Sequence, residues 1–156
     1  SSDVIRKQLA GIPSTEHRFE EFSSGIYAVE FTRKTYDELF NQARRFLSEG
    51  TSVVLDASFI KSGERVKARD LAKKVGADFY VLECILDEET IKQRLEQRLK
   101  VGTVSDGRWE VYVSQKQKSD PITEVPPGKH FIVDASKPTE ENVQGILDKM
   151  EQEAGR

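Results

Sequence analysis

The pattern of apolar and polar residues predicts three short strands. Each is an apolar run closed by a polar residue: 52–55 before Asp56, 79–82 before Glu83, and 131–133 before Asp134. Near-continuous hydrophobicity, as opposed to strict alternation, is typical of strands that are buried on both faces of a parallel sheet. We therefore predict a parallel sheet with helices packed on its faces.

The segments before, between and after these strands have apolar residues at the spacing of a helix. Apolar residues recur at helical intervals from Tyr36 to Leu47, and Gly50 follows as a stop signal. Four further helices are predicted at residues 63–75, 87–99, 109–118 and from Pro138 onwards. Strands that alternate with helices indicate right-handed crossovers, so the predicted fold class is a three-layer α/β/α fold.

One segment interrupts the alternation of strands and helices. Residues 101–108 contain two glycines and several small polar residues, and they stand between two predicted helices. Such a composition is typical of a mobile flap. We predict a single domain over residues 1–156, with a lid loop at residues 99–109 inside it.

Composition narrows the class of protein. The 27 acidic and 24 basic residues are spread along the chain and give a formal charge of -3, so no charged block resembles a nucleic-acid-binding or membrane-binding surface. No apolar run approaches the roughly 20 residues that span a bilayer. The one cysteine, Cys84, lies in an apolar run and is expected to be a small buried side chain. A cytoplasmic location without a membrane partner is expected.

Asp3 and Arg6 are the first candidates for chemistry. Residues three apart on a helix share a face, so this carboxylate and guanidinium could address one ligand. The pair suits a hydroxyl nucleophile that carries an anionic group. The alternative is an N-cap aspartate beside a solvated arginine, and the sequence leaves both interpretations open.

Asp56 closes the best predicted strand. An acid in this position is the form of residue that supports Mg²⁺ or its water ligands in P-loop enzymes, because Mg²⁺ requires hard oxygen ligands. Ser58 and Arg65 add polar groups at the same edge of the sheet. Ligands of open α/β sheets bind at this edge, outside the carboxyl ends of the strands.

Arg94 and Arg98 lie one helical turn apart, just before the predicted lid loop, and face away from the apolar stripe of their helix. Two guanidiniums at the base of a lid can close onto triphosphate oxygens and neutralise the charge that develops during phosphoryl transfer. The alternative is a solvated helix face paired with Asp87 and Glu96. The sequence alone does not choose between them.

Taken together, these segments resemble the P-loop kinase superfamily, and especially polynucleotide 5′-kinases and the zeta-toxin-like and gluconate-type kinases with an AAA-type ATPase domain. The resemblance covers nearly the whole chain. It rests on the order and spacing of four stretches, at residues 2–6, 53–59, 91–98 and 106–112. It implies an ATP-dependent phosphotransferase, a small-molecule kinase that transfers a γ-phosphate to a substrate hydroxyl.

The resemblance implies roles on the acceptor side. Asp3 would be the general base for the substrate hydroxyl, and Arg6 would bind an anionic part of the acceptor. Ser58 and Arg65 would complete the substrate-binding residues. The acidic and aromatic residues within 12–33 favour a small hydroxylated molecule over a nucleic-acid strand, while leaving a nucleic-acid acceptor open.

The resemblance also implies roles on the nucleotide side, with ATP and Mg²⁺ as cofactors. Asp56 would support the metal ion. Arg94 and Arg98 would act on the phosphates as catalytic and nucleotide-binding residues. Lys137 and Pro138 would flank the adenine.

The family's phosphate-binding motif, G-x-x-x-x-G-K-[ST], does not occur in these 156 residues. In the family it belongs to a strand-loop-helix unit of roughly 30 residues ahead of the second strand. We therefore expect a domain without its first strand, phosphate loop and first helix. Such a fragment would be inactive in isolation, with a possible fused upstream domain. The alternatives are a nucleotide-binding regulatory domain without turnover and an interaction module.

Overall fold

The computed structural model describes residues 1–13, 25–101 and 107–154. The helices and strands in these ranges are α1 (Ser2–Leu9), α2 (Val29–Ser48), α3 (Ser62–Val75), β1 (Val81–Ile85), α4 (Glu88–Val101), α5 (Trp109–Lys118), β2 (His130–Asp134) and α6 (Thr139–Ala154). Short 3₁₀ turns lie at Gly25–Tyr27 and Pro127–Lys129. None of the helices in this part of the chain has the length and apolar character needed to cross a membrane.

The predicted helices are present in the described structure. They could be predicted because the signals that start and stop a helix act within a few residues. Helix α3 ends at Gly76, whose φ of 72° is the left-handed conformation that glycine adopts most readily. Helix α4 begins after Asp87, whose carboxylate accepts a hydrogen bond from the Thr90 N–H at 2.9 Å. Helix α5 spans the predicted residues 109–118.

Strands β1 and β2 form a parallel pair. Val81 is in register with His130, and Ile85 with Asp134. Helices α4 and α5 lie between them in the chain, which gives the crossover that parallel strands require. The α/β character is therefore confirmed, but the sheet of the described residues has two strands and is smaller than the predicted one.

The prediction of a strand at residues 52–55 is wrong for the described structure. Val53 and Leu55 pack against the core, whereas Val54 between them is 84% exposed. The burial thus alternates as in a strand, yet the segment joins no sheet in the described ranges. A strand needs a neighbour for its N–H and C=O groups, and β1 and β2 pair only with each other there.

The main core lies between α1, α2 and α3. Its buried residues are Ile5, Tyr36, Leu39, Phe40, Ala43, Ala68 and Leu71. The prediction that Cys84 is buried is wrong, because this side chain is exposed on β1. Leu82 is two positions away, shares its face of the strand, and is exposed as well, so the described residues leave this face open.

Candidate functional site

A backbone hydrogen bond brings the two acidic candidates together. The Ser2 N–H donates to the Asp56 carbonyl oxygen at 2.8 Å, so the first turn of α1 lies at the end of segment 51–56. Asp3 is in that first turn, and Asp56 has an exposed side chain. We call this pair of residues and their surroundings the acidic edge.

The N-cap of α1 is Ser1, so the alternative interpretation of Asp3 as the N-cap residue is wrong. Asp3 is instead the acidic residue of the first turn, where the positive end of the helix dipole favours a carboxylate. In this position the carboxylate can interact with the helix dipole, and it can also serve as a general base.

A metal ion at the acidic edge would depend on more than protein ligands. The described residues contain no group of three or more His, Cys, Asp or Glu that could hold a metal. Mg²⁺ usually keeps several waters and is bound by one or two carboxylates together with substrate phosphates. The single exposed carboxylate of Asp56 fits that arrangement, with the nucleotide supplying the other ligands.

Arg6 lies one turn further along α1 and is 7% exposed. Its Nη1 donates to the Ile26 carbonyl oxygen at 2.6 Å and to Thr32 Oγ1 at 3.1 Å, and its guanidinium lies 4.9 Å from the centre of the Tyr27 ring. Burial lowers the pKa of Arg6, an effect opposed by Tyr27 and Asp3. Arg6 therefore fastens the start of α2 to α1, and its predicted contact with an anionic acceptor stays a prediction.

The loop after Asp56 is held in an uncommon conformation. Phe59 has a φ of 43°, in the left-handed region that bulky residues rarely adopt. Its N–H donates to Tyr36 Oη at 3.1 Å, and its ring meets the Tyr36 ring edge-on at 5.4 Å. Helix α2 thereby holds the loop that carries Ser58, whose side chain is exposed.

Arg65 is 3% exposed, and its guanidinium donates hydrogen bonds to groups of the protein itself. Its Nε and Nη2 donate to the two carboxylate oxygens of Glu124 at 3.1 and 2.7 Å. Its Nη1 donates to the Phe59 carbonyl oxygen at 2.7 Å, and its Nη2 also donates to the carbonyls of Asp120 and Pro121 at 3.1 and 2.8 Å. We therefore correct the predicted substrate-binding role, because every nitrogen of this buried guanidinium already has a protein acceptor.

Arg94 and Arg98 are exposed on α4. Within the described ranges neither forms an ion pair, so the alternative pairing with Asp87 and Glu96 is not observed. Their predicted roles at the phosphates stay predictions. Residues 102–106 of the predicted lid lie outside the described residues.

The turn after β2 is well ordered by its own hydrogen bonds. The Asp134 carboxylate accepts from the Ser136 hydroxyl at 2.6 Å and from the Ser136 N–H at 2.9 Å, and these bonds lower the pKa of Asp134. Lys137 donates to the exposed Glu141 carboxylate at 2.7 Å. The predicted positions of Lys137 and Pro138 beside adenine stay predictions.

Sequence reasoning missed Asp120 and Glu124. The Asp120 carboxylate accepts from the Ser62 N–H at 3.0 Å and from Lys61 Nζ at 3.1 Å, and the Ser62 bond is the main cause of its lowered pKa. Asp120 thus caps α3 from outside that helix. The capped residue is 58 positions away, so no local sequence signal marks it.

A cleft of about 370 Å³ lies between α2 and α3. Both charge signs occur in its lining, which consists of Asp37, Phe40, Asn41, Arg44, Lys67, Asp70, Leu71 and Lys74. None of the predicted site residues lines it. The candidate site is therefore the acidic edge, where predicted site residues come together, and not this cleft.

The parallel crossover from β1 through α4 and α5 to β2, together with the acidic edge, is consistent with part of a P-loop fold. Residues 1–122 match a family described as an AAA domain, and the chain belongs to this P-loop, kinase-like family. The resemblance inferred from the sequence is thereby confirmed. Membership implies nucleotide binding in general terms, and the family includes kinases. No curated protein and no solved structure matches the chain.

Proposed function

We propose that the chain contributes the acceptor and lid parts of an ATP-dependent phosphotransferase that acts on a hydroxyl group of a small molecule. The observation that carries this proposal is the hydrogen bond between Ser2 and Asp56, which holds Asp3 and Asp56 at one edge. In phosphoryl transfer, the general base for the substrate hydroxyl and the carboxylate that supports the metal ion must lie close together. Both act at the same γ-phosphate.

In the proposed reaction, Asp3 accepts the proton of the substrate hydroxyl as its oxygen forms a bond to the γ-phosphorus. The bond from that phosphorus to the bridging oxygen breaks, and ADP leaves. Mg²⁺, when bound, neutralises charge on the phosphate oxygens, and Asp56 is the residue that would support it. Arg94 and Arg98 would add positive charge from the lid side.

The second candidate function is a regulatory domain that binds a nucleotide without turnover. The observation that would favour it is a degraded form of G-x-x-x-x-G-K-[ST] in the residues ahead of Ser1, since this motif supplies the backbone N–H groups and the lysine that hold phosphates. Both candidates share the nucleotide-binding character of the family. They differ in whether a phosphoryl group is transferred.

The first prediction concerns the chain alone. The 156 residues should show no kinase activity and no tight ATP binding, because the arginines of α4 provide charge without a phosphate cradle. Isothermal titration calorimetry with ATP and Mg²⁺ measures this directly. Binding in the micromolar range would contradict our placement of the phosphate site.

The matched control is the same chain extended by whatever residues the gene encodes ahead of Ser1. An extension that contains G-x-x-x-x-G-K-[ST] and restores ATP turnover supports the phosphotransferase. An extension that restores binding while ADP release stays at background supports the regulatory alternative.

The second prediction concerns Arg98. In the ATP-active form of the protein, Arg98→Ala should lower kcat by about two to three powers of ten with a smaller effect on the KM for ATP, because a lid arginine acts mainly on charge that appears in the transition state. Steady-state ADP release measures both constants. Arg45→Ala, at an exposed position of α2, is the control. Wild-type activity in Arg98→Ala would assign the arginine to the solvated surface.

A further inference from the structure

Arg65 joins two stretches that are far apart in the sequence. On one side its Nη1 holds the carbonyl of Phe59, in the loop that follows Asp56. On the other side it holds residues 120–124, which follow α5, through two backbone carbonyls and the Glu124 carboxylate. The Arg65–Glu124 ion pair is nearly inaccessible to solvent, since each side chain is 4% exposed.

Further contacts connect the same two stretches. The Asp120 N–H donates to the Ile60 carbonyl oxygen at 2.8 Å, and the Asp120 carboxylate accepts from Ser62. Lys61 Nζ donates to the carbonyl oxygen of Lys118, the last residue of α5, at 2.7 Å. The end of α5 is therefore tied directly to the region between Asp56 and α3.

Helix α5 is in turn attached to α4. Lys116 of α5 forms an ion pair with Glu88 of α4 at 2.6 Å, and Lys92 Nζ lies 5.8 Å from the centre of the Trp109 ring. Helix α4 is the helix that carries the two predicted lid arginines. A continuous set of contacts thus runs from the loop after Asp56, through Arg65 and α5, to α4.

We propose that Arg65 is a positioning residue that fixes the acidic edge relative to α5 and, through α5, relative to the arginines of α4. This inference rests on the proposed function for its catalytic meaning. An arginine is required here because its planar fork of five N–H donors can bind a carboxylate and several carbonyls at once, whereas a lysine ammonium cannot reproduce that geometry. The Phe59 carbonyl is held in this way at a residue with a φ of 43°, so the loop depends on the contact.

The experiment measures the distance between the two joined parts by energy transfer. Trp109 is the sole tryptophan of the sequence and begins α5, so it serves as the donor. The acceptor is a dye on the thiol introduced by Ser58→Cys, in a chain in which Cys84→Ser removes the sole native cysteine. Donor lifetimes give the mean distance and its spread for Arg65→Lys and Glu124→Gln against the unsubstituted pair.

The expected result is a broader and shifted distance distribution in Arg65→Lys, with a smaller change in Glu124→Gln, which keeps the shape of the side chain. The control places the dye on the native Cys84 of β1. That distance should change less, because none of the hydrogen bonds of Arg65 in the described residues reaches β1 and the Lys116–Glu88 ion pair still joins α5 to the helix that follows β1. Unchanged distances from Ser58→Cys in both variants, with helical content retained, would overturn the proposal.

A second variant covers the case in which Arg65→Lys fails to fold. The double substitution Arg65→Met with Glu124→Leu replaces the ion pair by apolar contact and removes the fork of donors. It should fold, yet show the same broad distribution, whereas a residue important for stability alone would leave the distance in the folded double variant unchanged. The measurement needs no phosphoryl transfer. Altered distances, together with a chain extended by G-x-x-x-x-G-K-[ST] that still does not turn over ATP, would therefore support the positioning role and refute only the proposed function.

Discussion

Replacing Asp3 by asparagine should lower kcat by about two to four powers of ten, the range expected for loss of a general base. Asparagine keeps the size of the side chain and its hydrogen-bonding capacity but cannot accept the proton of the hydroxyl. Because Ser1 and not Asp3 is the N-cap of α1, the substitution should leave the helix formed. Single-turnover phosphoryl transfer in the ATP-active form of the protein, with ATP affinity measured in parallel, tests this.

The control is Asp37→Asn, which removes a half-exposed carboxylate of α2 and should leave kcat unchanged. Asp3→Asn should also bind ATP as the unsubstituted protein does, since the base acts on the acceptor and not on the nucleotide. If Asp3→Asn transfers phosphate at the unsubstituted rate, the base assignment is wrong. Asp56 would then be the one acid at the edge with a proposed role.

Replacing Arg65 by methionine should lower the free energy of unfolding by about 3–5 kcal/mol, because removal of one partner leaves the Glu124 carboxylate buried without its counter-charge. The carbonyl oxygens that Arg65 binds would also lose their donor. Urea unfolding followed by circular dichroism at neutral pH measures the loss.

The control on the same helix is Lys67→Met. Lys67 pairs with Glu64 at 3.2 Å, but about half of the lysine side chain is exposed, so the loss should be about 1 kcal/mol or less. Adding Glu124→Leu to Arg65→Met should recover part of the larger loss, since no buried charge then remains unpaired. Equal losses for the variants of Arg65 and Lys67 would contradict the buried ion pair.

The pH dependence has a defined sign. The hydrogen bonds and charge of Arg65 lower the pKa of the Glu124 carboxyl in the folded protein. The contribution of this pair is therefore complete above the ordinary glutamate pKa of about 4.3, and it is lost as the pH falls through the lower folded value. The difference in stability between the unsubstituted protein and Arg65→Met should shrink over that acidic range.

The sequence by itself determined where the helices lie and to which family the chain belongs. The apolar spacing from Tyr36 to Leu47 and the stop at Gly76 act over a few residues, so α2 and α3 were predictable from local physical chemistry. Two of the three predicted strands, at residues 79–82 and 131–133, correspond to β1 (Val81–Ile85) and β2 (His130–Asp134), because a short apolar run is also a local signal. The hydrogen bond that joins the first turn of α1 to Asp56 links residues distant in the chain, and no strand at residues 52–55 supports it in the described structure, so local spacing did not predict it.

Tertiary structure alone decided which polar side chains are available to a ligand. A sequence shows that Arg65 follows Asp56 on a helix, but not that residues 120–124 return to surround its guanidinium. It shows an apolar run at residues 52–55, but not whether a neighbouring strand is present to receive its backbone hydrogen bonds. Both outcomes depend on contacts between residues distant in the chain, and such contacts leave no mark in local spacing or propensity.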